Sequence, residues 1–211
     1  FHAANRGSNP LKSTMKIDYL LNIIFKNKKK FLKIDDKKII PIFLQIRDFA
    51  YNKKIIYVFL LFQYLVFKKQ NIILKKYQIL LYLKHFNNII EAPTGIGKTL
   101  SFFPFLFFNL LNNKSVHYIT SNILLLNRDY QNLLYYFDFF NLKIRLIKKC
   151  KNYINIINNK DTLFMGTNSD FIFYFIKNYN LQLHTFDLLF IDEIDQNLYD
   201  KAFTTYSVNI E

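Results

Sequence analysis

Eight consecutive residues, Ala92-Pro93-Thr94-Gly95-Ile96-Gly97-Lys98-Thr99, combine two glycines with a lysine and a hydroxyl. A glycine-rich turn between a strand and a helix lets successive backbone N–H groups converge on phosphate oxygens. Gly95 and Gly97 permit backbone angles and close approaches that a Cβ would block. Lys98 is placed to reach the β- and γ-phosphates of a nucleotide, and the Thr99 hydroxyl to ligate Mg²⁺. Chance is a poor account of this loop, because the chain has only four glycines and two of them fall here. The expectation is a site for ATP or a close relative, with Gly95, Ile96, Gly97, Lys98 and Thr99 around the phosphates.

A second cluster, Asp192-Glu193-Ile194-Asp195, follows the apolar run Leu188 to Ile191. At a strand end, Asp192 is suited to hold Mg²⁺ directly or through water, and Glu193 to polarise the water that attacks the γ-phosphate. A lone Asp-Glu pair is ordinarily a solvated turn, and its position together with the phosphate loop argues otherwise. Asp195 either joins this set or caps the following helix. Upstream of the loop, the Gln78 amide both donates and accepts, which suits reading an adenine edge. Without the loop it would read as a surface glutamine. Thr120-Ser121-Asn122, with Arg128-Asp129 beyond, and Gly166-Thr167-Asn168 each follow a strand. They either line the crevice of an open parallel sheet or serve as turn chemistry. His85, His117 and His184 lack metal-ligand spacing and read as core or surface residues.

These residues need a scaffold that brings strand ends together. Ile89-Ile90, Val116 to Thr120, Ile144 to Ile147, Thr162 to Met165 and Leu188 to Ile191 read as short strands. Helical stretches at Thr99 to Leu111 and Leu124 to Phe140 alternate with them. This alternation predicts an α/β fold with a parallel sheet covered by helices. The run Phe102 to Phe108 reads as a buried helix face, with Pro104 costing one hydrogen bond. Before the sheet, Ile17, Leu20, Leu21, Ile24 and Phe25 fall at helical spacing, and Pro41 suits the first turn of another helix. The run Ile55 to Phe67 is bracketed by lysines and falls short of the about 20 apolar residues of a membrane span, so it reads as a buried helix. Residues 1 to 14 differ in texture from the rest and are expected to be a leader, tag or disordered segment.

Composition narrows the partners only a little. A formal net charge of +14 points to nucleic acid or anionic lipid in an ordinary protein. Here lysine belongs to a general excess of residues with A/T-rich codons, so drift on solvated faces explains the charge equally well. One cysteine, Cys150, excludes an internal disulfide and a cysteine-based metal site.

From Met15 onward the order of these segments resembles SecA, the family of ATPase motors that drive preproteins through the Sec channel. Leu20-Leu21-Asn22-Ile23-Ile24-Phe25 is similar to the family's amino-terminal helix, which contacts membrane and channel. Val116-His117-Tyr118-Ile119-Thr120-Ser121-Asn122, running on to Arg128-Asp129, is similar to its VHVVTVNDYLAQRD segment. Gly166-Thr167-Asn168 matches its YGTNNEF segment, and Asp192-Glu193-Ile194-Asp195 with Leu198, Asp200, Ala202 and Thr204 its DEVDSILIDEART segment. The resemblance implies a RecA/helicase-like sheet over 77–211, preceded by a helical segment over 15–76. It also implies Gln78 as the adenine contact, Gly95 to Thr99 as the phosphate loop, Lys98 and Glu193 as catalytic groups, and Thr99 with Asp192 at Mg²⁺. Its partners would be a SecY/SecE-type channel, preproteins, an anionic membrane surface and a second copy in a homodimer, with nucleic acid disfavoured. Its location would be cytoplasmic and peripheral on the plasma membrane, or the plastid stroma and thylakoid surface for an organellar gene.

Several residues depart from the family pattern. Ala92-Pro93-Thr94 stands for Met-Arg-Thr and reads like a helicase loop, Ile96 replaces a glutamate, and Phe203 replaces the arginine of DEART. The family's second nucleotide-binding domain, with its arginine fingers, is expected to lie beyond this sequence, which would make hydrolysis by it alone very weak. Such a finger contributes about 10³–10⁵ in rate. A DEAD-type nucleic-acid helicase domain and a degenerate nucleotide-binding module without turnover remain the alternatives.

Overall fold

The computed structural model describes residues 14–87, 90–93, 95–149, 160–177 and 187–193. The chain divides into two compact units between Phe108 and Asn109. The first is helical: α1 (Thr14–Phe31), α2 (Asp36–Gln45), α3 (Tyr51–Gln70), α4 (Lys76–Lys84) and the start of α5 (Lys98–Leu111). The second carries β1 (Val116–Thr120), α6 (Ile123–Phe139), β2 (Lys143–Leu146), β3 (Thr162–Thr167), α7 (Asn168–Lys177) and β4 (Leu188–Ile191).

In the helical unit α3 is the hub. Ile55, Val58, Phe59, Leu60, Leu61, Phe62, Leu65 and Val66 are buried on all sides of it, as expected for a helix enclosed by its neighbours. Its Phe62 meets Phe103 and Phe107 of α5, and its Phe59 meets Tyr82 of α4. The Tyr82 hydroxyl, fully buried, donates to the Ile55 carbonyl at 2.9 Å. Leu20, Leu21 and Ile24 of α1 are buried as their spacing predicts, and α1 packs on α3 and α4. Among the described residues no helix is long and apolar enough to cross a membrane. Asn71, left-handed with φ 55°, caps the carboxyl end of α3. The chain then runs without regular secondary structure from Ile72 to Lys75, held by the buried Gln63 amide. Gln63 donates to the Ile72 carbonyl at 3.0 Å and accepts from the Leu74 N–H at 2.7 Å.

Pro41 departs from expectation. It is the sixth residue of α2, well past the first turn, because Asp35 starts the helix earlier by accepting the Lys37 N–H at 3.0 Å. Pro104 likewise stands inside α5, whose Phe102, Phe103, Phe105, Phe107 and Phe108 are all buried.

The second unit is a four-stranded parallel sheet in the order β2-β3-β1-β4. Val116–Thr120 and Leu188–Ile191 form strands as the apolar runs predict, and β2 begins one residue earlier than expected. Of the expected strand at 89–90, Ile89 lies outside the described residues and Ile90 is in none. Side chains alternate along β1. His117 faces α7, meeting Phe171 and Phe164, while Tyr118 faces α6, reaching Asp129. Helices therefore cover both faces of β1, which explains why all five of its residues are buried.

His117 is 8% exposed among aromatic rings, and desolvation lowers its pKa from 6.5 to about 4. His85, stacked on Phe105 in the helical unit, is lowered to about 4 for the same reason. Each is neutral when folded and binds its proton more readily when unfolded. Stability is therefore complete above pH 6.5 and falls as pH drops toward 4, by up to roughly 3 kcal/mol per histidine. Urea denaturation between pH 7 and 4 is expected to show this slope, and His117→Phe to remove its share. An unchanged slope in that variant would contradict the assignment.

Candidate functional site

The glycine-rich loop opens α5. Gly95 and Gly97 have φ of 78° and 79°, the left-handed region that glycine enters without strain. Lys98 and Thr99 are the first two residues of α5, so the loop ends on free N–H groups at a helix amino terminus. Ile96 lies between the glycines, half-buried, and the Ser101 hydroxyl donates to the Gly97 carbonyl at 3.3 Å.

Gln78, the third residue of α4, is joined to this loop. Its Nε2 donates to the carbonyls of Ile96 at 3.3 Å and Gly97 at 3.5 Å, and its Oε1 accepts the Lys75 N–H at 2.8 Å. The last bond is half of a capping box. Lysine has no acceptor to complete it, and the Gln78 N–H instead donates to the Lys75 carbonyl at 3.1 Å. Contact with the loop is close: a Cβ on Gly97 would lie 2.5 Å from Gln78 Nε2. Spacing alone gave no reason to expect such a contact across 18 residues.

In the second unit the acidic pair sits at the end of β4. The Asp192 N–H donates to the Ile119 carbonyl at 2.9 Å, continuing the ladder between β1 and β4. Glu193 turns away with φ 52°, unusual for a residue with a side chain, and its N–H donates to Asp192 Oδ1 at 3.1 Å. This turn carries its carboxylate back to the end of β1, where the Ser121 hydroxyl donates to Oε2. Asp195 lies outside the described residues. Among the described residues no three His, Cys, Asp or Glu side chains cluster as a metal site.

Behind the pair is a buried polar network. Tyr118 and Asp129 are both fully buried, and the phenol donates to Asp129 Oδ2 at 2.7 Å. Arg128 Nε meets Asp129 Oδ1 at 2.8 Å. The same phenol oxygen lies 3.5 Å from Asp192 Oδ2. Burial, then the carboxylates of Asp192 and Asp129, raise the Tyr118 pKa well above its usual value, so it remains a donor.

Chemistry and capping share the other polar segments. Asn122 accepts the Leu125 N–H at 2.9 Å as the N-cap of α6. Thr167 and Asp170 close a reciprocal capping box at the start of α7, with bonds of 2.9 and 3.2 Å. Ser121, between Thr120 and Asn122, is the member of its segment that reaches the acidic pair. Sequence reasoning picked out Ser121 and Asp129 within their segments but missed their partners. The signal for the network was a tyrosine in an apolar strand facing an aspartate on the next helix.

Residues 7–210 match the SecA DEAD-like domain. The chain belongs to the SecA family. With its parallel sheet, membership gives the RecA-like fold that the resemblance implied. Among curated relatives, the protein translocase subunit SecA of Alkaliphilus oremlandii is 29% identical over 148 residues, which is 62% of this chain and 16% of that protein. The subunit of Cyanidium caldarium is 33% identical over 131 residues, covering 57% of this chain and 14% of the relative. That of Phaeodactylum tricornutum is 34% identical over 123 residues, covering 55% and 14%. The chain thus matches about a seventh of the length of these SecA proteins.

Tyr118→Phe would deprive the fully buried carboxylate of Asp129 of a donor at 2.7 Å. The expected loss is about 1–3 kcal/mol in urea denaturation. A variant as stable as the parent would show that the phenol does not support Asp129.

Proposed function

We propose that this chain provides the ATP-binding motor domain of a SecA-type protein translocase subunit, coupling ATP hydrolysis to preprotein export through the Sec channel. The observation that carries this reading is the Gln78 amide bonded to a loop whose two glycines are left-handed and which opens directly into α5. Such a loop offers a concave set of N–H donors and the positive end of a helix dipole to phosphate. The absence of a Cβ at Gly97 leaves the space that Gln78 occupies.

In this reading the N–H groups of Gly95 to Thr99 bind the phosphates, and Lys98 neutralises charge on the β- and γ-phosphates. Gln78 contacts adenine. Thr99 and Asp192 are the residues that would hold Mg²⁺. When bound, Mg²⁺ would offset the charge that builds on the transferred phosphoryl group. Glu193 polarises the attacking water, oriented by the hydroxyl of Ser121. The motor domain is taken as 77–211 and the preceding helical segment as 15–76. Family membership supports a cytoplasmic subunit peripheral to the membrane, working with channel, preproteins and anionic lipid, and pairing as a homodimer.

Lys98→Ala is expected to weaken ATP binding about tenfold to a hundredfold, the worth of a lost charge-assisted bond. Glu193→Gln is expected to leave affinity within a few-fold and to lower hydrolysis by about 10²–10⁴. Binding of a fluorescent ATP analogue and phosphate release measure the two. Undiminished binding in Lys98→Ala would contradict the phosphate-loop assignment. Stimulation of turnover by single-stranded RNA, with none by membranes carrying the Sec channel, would contradict the translocase reading.

A further inference from the structure

The lysines between residues 26 and 38 are Lys26, Lys28, Lys29, Lys30, Lys33, Lys37 and Lys38, and Lys28 is the buried one, 5% exposed. Its ammonium crosses from α1 to donate to the Leu74 carbonyl at 2.7 Å and lies 4.5 Å from the centre of the Phe25 ring. Burying an ammonium is costly unless it is paired or hydrogen-bonded. Desolvation, then the charge of Lys29, lowers its pKa.

The Leu74 carbonyl and the Lys75 N–H belong to one planar peptide group. Lys28 holds its oxygen, and its N–H donates to Gln78 Oε1 at 2.8 Å. On the preceding peptide, Gln63 accepts the Leu74 N–H at 2.7 Å. From Gln78 the connection continues through Nε2 to the carbonyls of Ile96 and Gly97. An unbroken line of hydrogen bonds therefore runs from α1 to the phosphate loop. A cation on the carbonyl polarises the peptide and strengthens its N–H as a donor.

The Lys75 N–H, together with the carbonyls that Nε2 meets, decides which end of the Gln78 amide is oxygen, since turning the amide over would set donor against donor and acceptor against acceptor. Adenine offers a donor, N6–H, beside the acceptor N7, whereas guanine offers two acceptors, O6 and N7. An amide fixed in orientation discriminates between them. One free to turn over does not, because its two ends can exchange places.

We propose that Lys28 is a positioning residue for base selectivity, fixing the Gln78 amide through the Leu74–Lys75 peptide. This rests on Gln78 being the adenine contact. The full 211-residue chain is tested as Lys28→Met, which keeps the apolar stem and removes the donor. ATP and GTP affinities are measured by displacement of a fluorescent analogue, with a thermal melt to show that the variant is folded. The ATP-over-GTP preference is expected to fall about fivefold to tenfold, toward that of Gln78→Ala, and the double variant to fall no further. A merely structural lysine would lower the melting temperature and leave the preference intact. An unchanged preference in Lys28→Met, where Gln78→Ala lowers it, overturns the proposal. If Gln78→Ala leaves the preference unchanged, adenine reading by Gln78 fails instead. The Lys28 link is then decided without nucleotide by hydrogen exchange at the Lys75 amide: faster exchange in Lys28→Met supports it, and unchanged protection overturns it. Should Lys28→Met not fold, Lys28→Leu, which also lacks a donor, is read in the same way.

Discussion

The side-chain amide of Gln78 is held at both ends, its oxygen by the Lys75 N–H and its nitrogen by the carbonyls of Ile96 and Gly97. Two other helices of the unit hold the segment that precedes it. α3 supplies Gln63, which secures the stretch leading into α4. α1 supplies Lys28, which secures the peptide just before α4. The loop in turn accepts this contact only because residue 97 has no Cβ. Gly97 thus answers two demands, a left-handed backbone and a close approach, and no other residue type meets both.

In the second unit the corresponding constraint is burial of β1. A strand covered on both faces finds partners for most of its polar atoms within the protein. Tyr118 does so through Asp129, and Asp129 through Arg128, so one polar chain runs from the sheet to the surface of α6. Because β4 pairs with β1 in parallel register, Tyr118 stands level with Phe190, two residues before Asp192. The same pairing lets the left-handed turn at Glu193 bring its carboxylate to Ser121. Stability and placement of the acidic pair therefore draw on the same residues.

Much of this fold was legible in sequence because it follows from local pattern. Apolar runs such as Val116 to Thr120 and Leu188 to Ile191, bounded by polar residues, became strands with the expected limits. Helices α5 and α6 began within one residue of expectation. Pro41 was misread because a first-turn position is its commonest helical setting, while the capping carboxylate of Asp35 set the start elsewhere. The segments after β1 and β3 were legible as polar but not as to role. Asn122 and Thr167 cap helices, and Ser121 beside them meets Glu193. One-dimensional spacing cannot separate these roles, since both use short polar side chains at a strand end.

By itself the sequence located the glycine-rich loop ahead of α5, the acidic pair and the parallel α/β order. Each depends on residue types that are adjacent or regularly spaced, and backbone preferences act over the same short range. Only the tertiary structure decided which polar side chains are paired. Lys28 and Leu74 are 46 residues apart, and Ser121 and Glu193 are 72 apart. Such pairs form because burial obliges each polar group to find a partner among whatever the packed elements bring within about 3 Å. That is how one lysine in a surface-like run came to face inward, and how a glutamine on a short helix came to hold a loop.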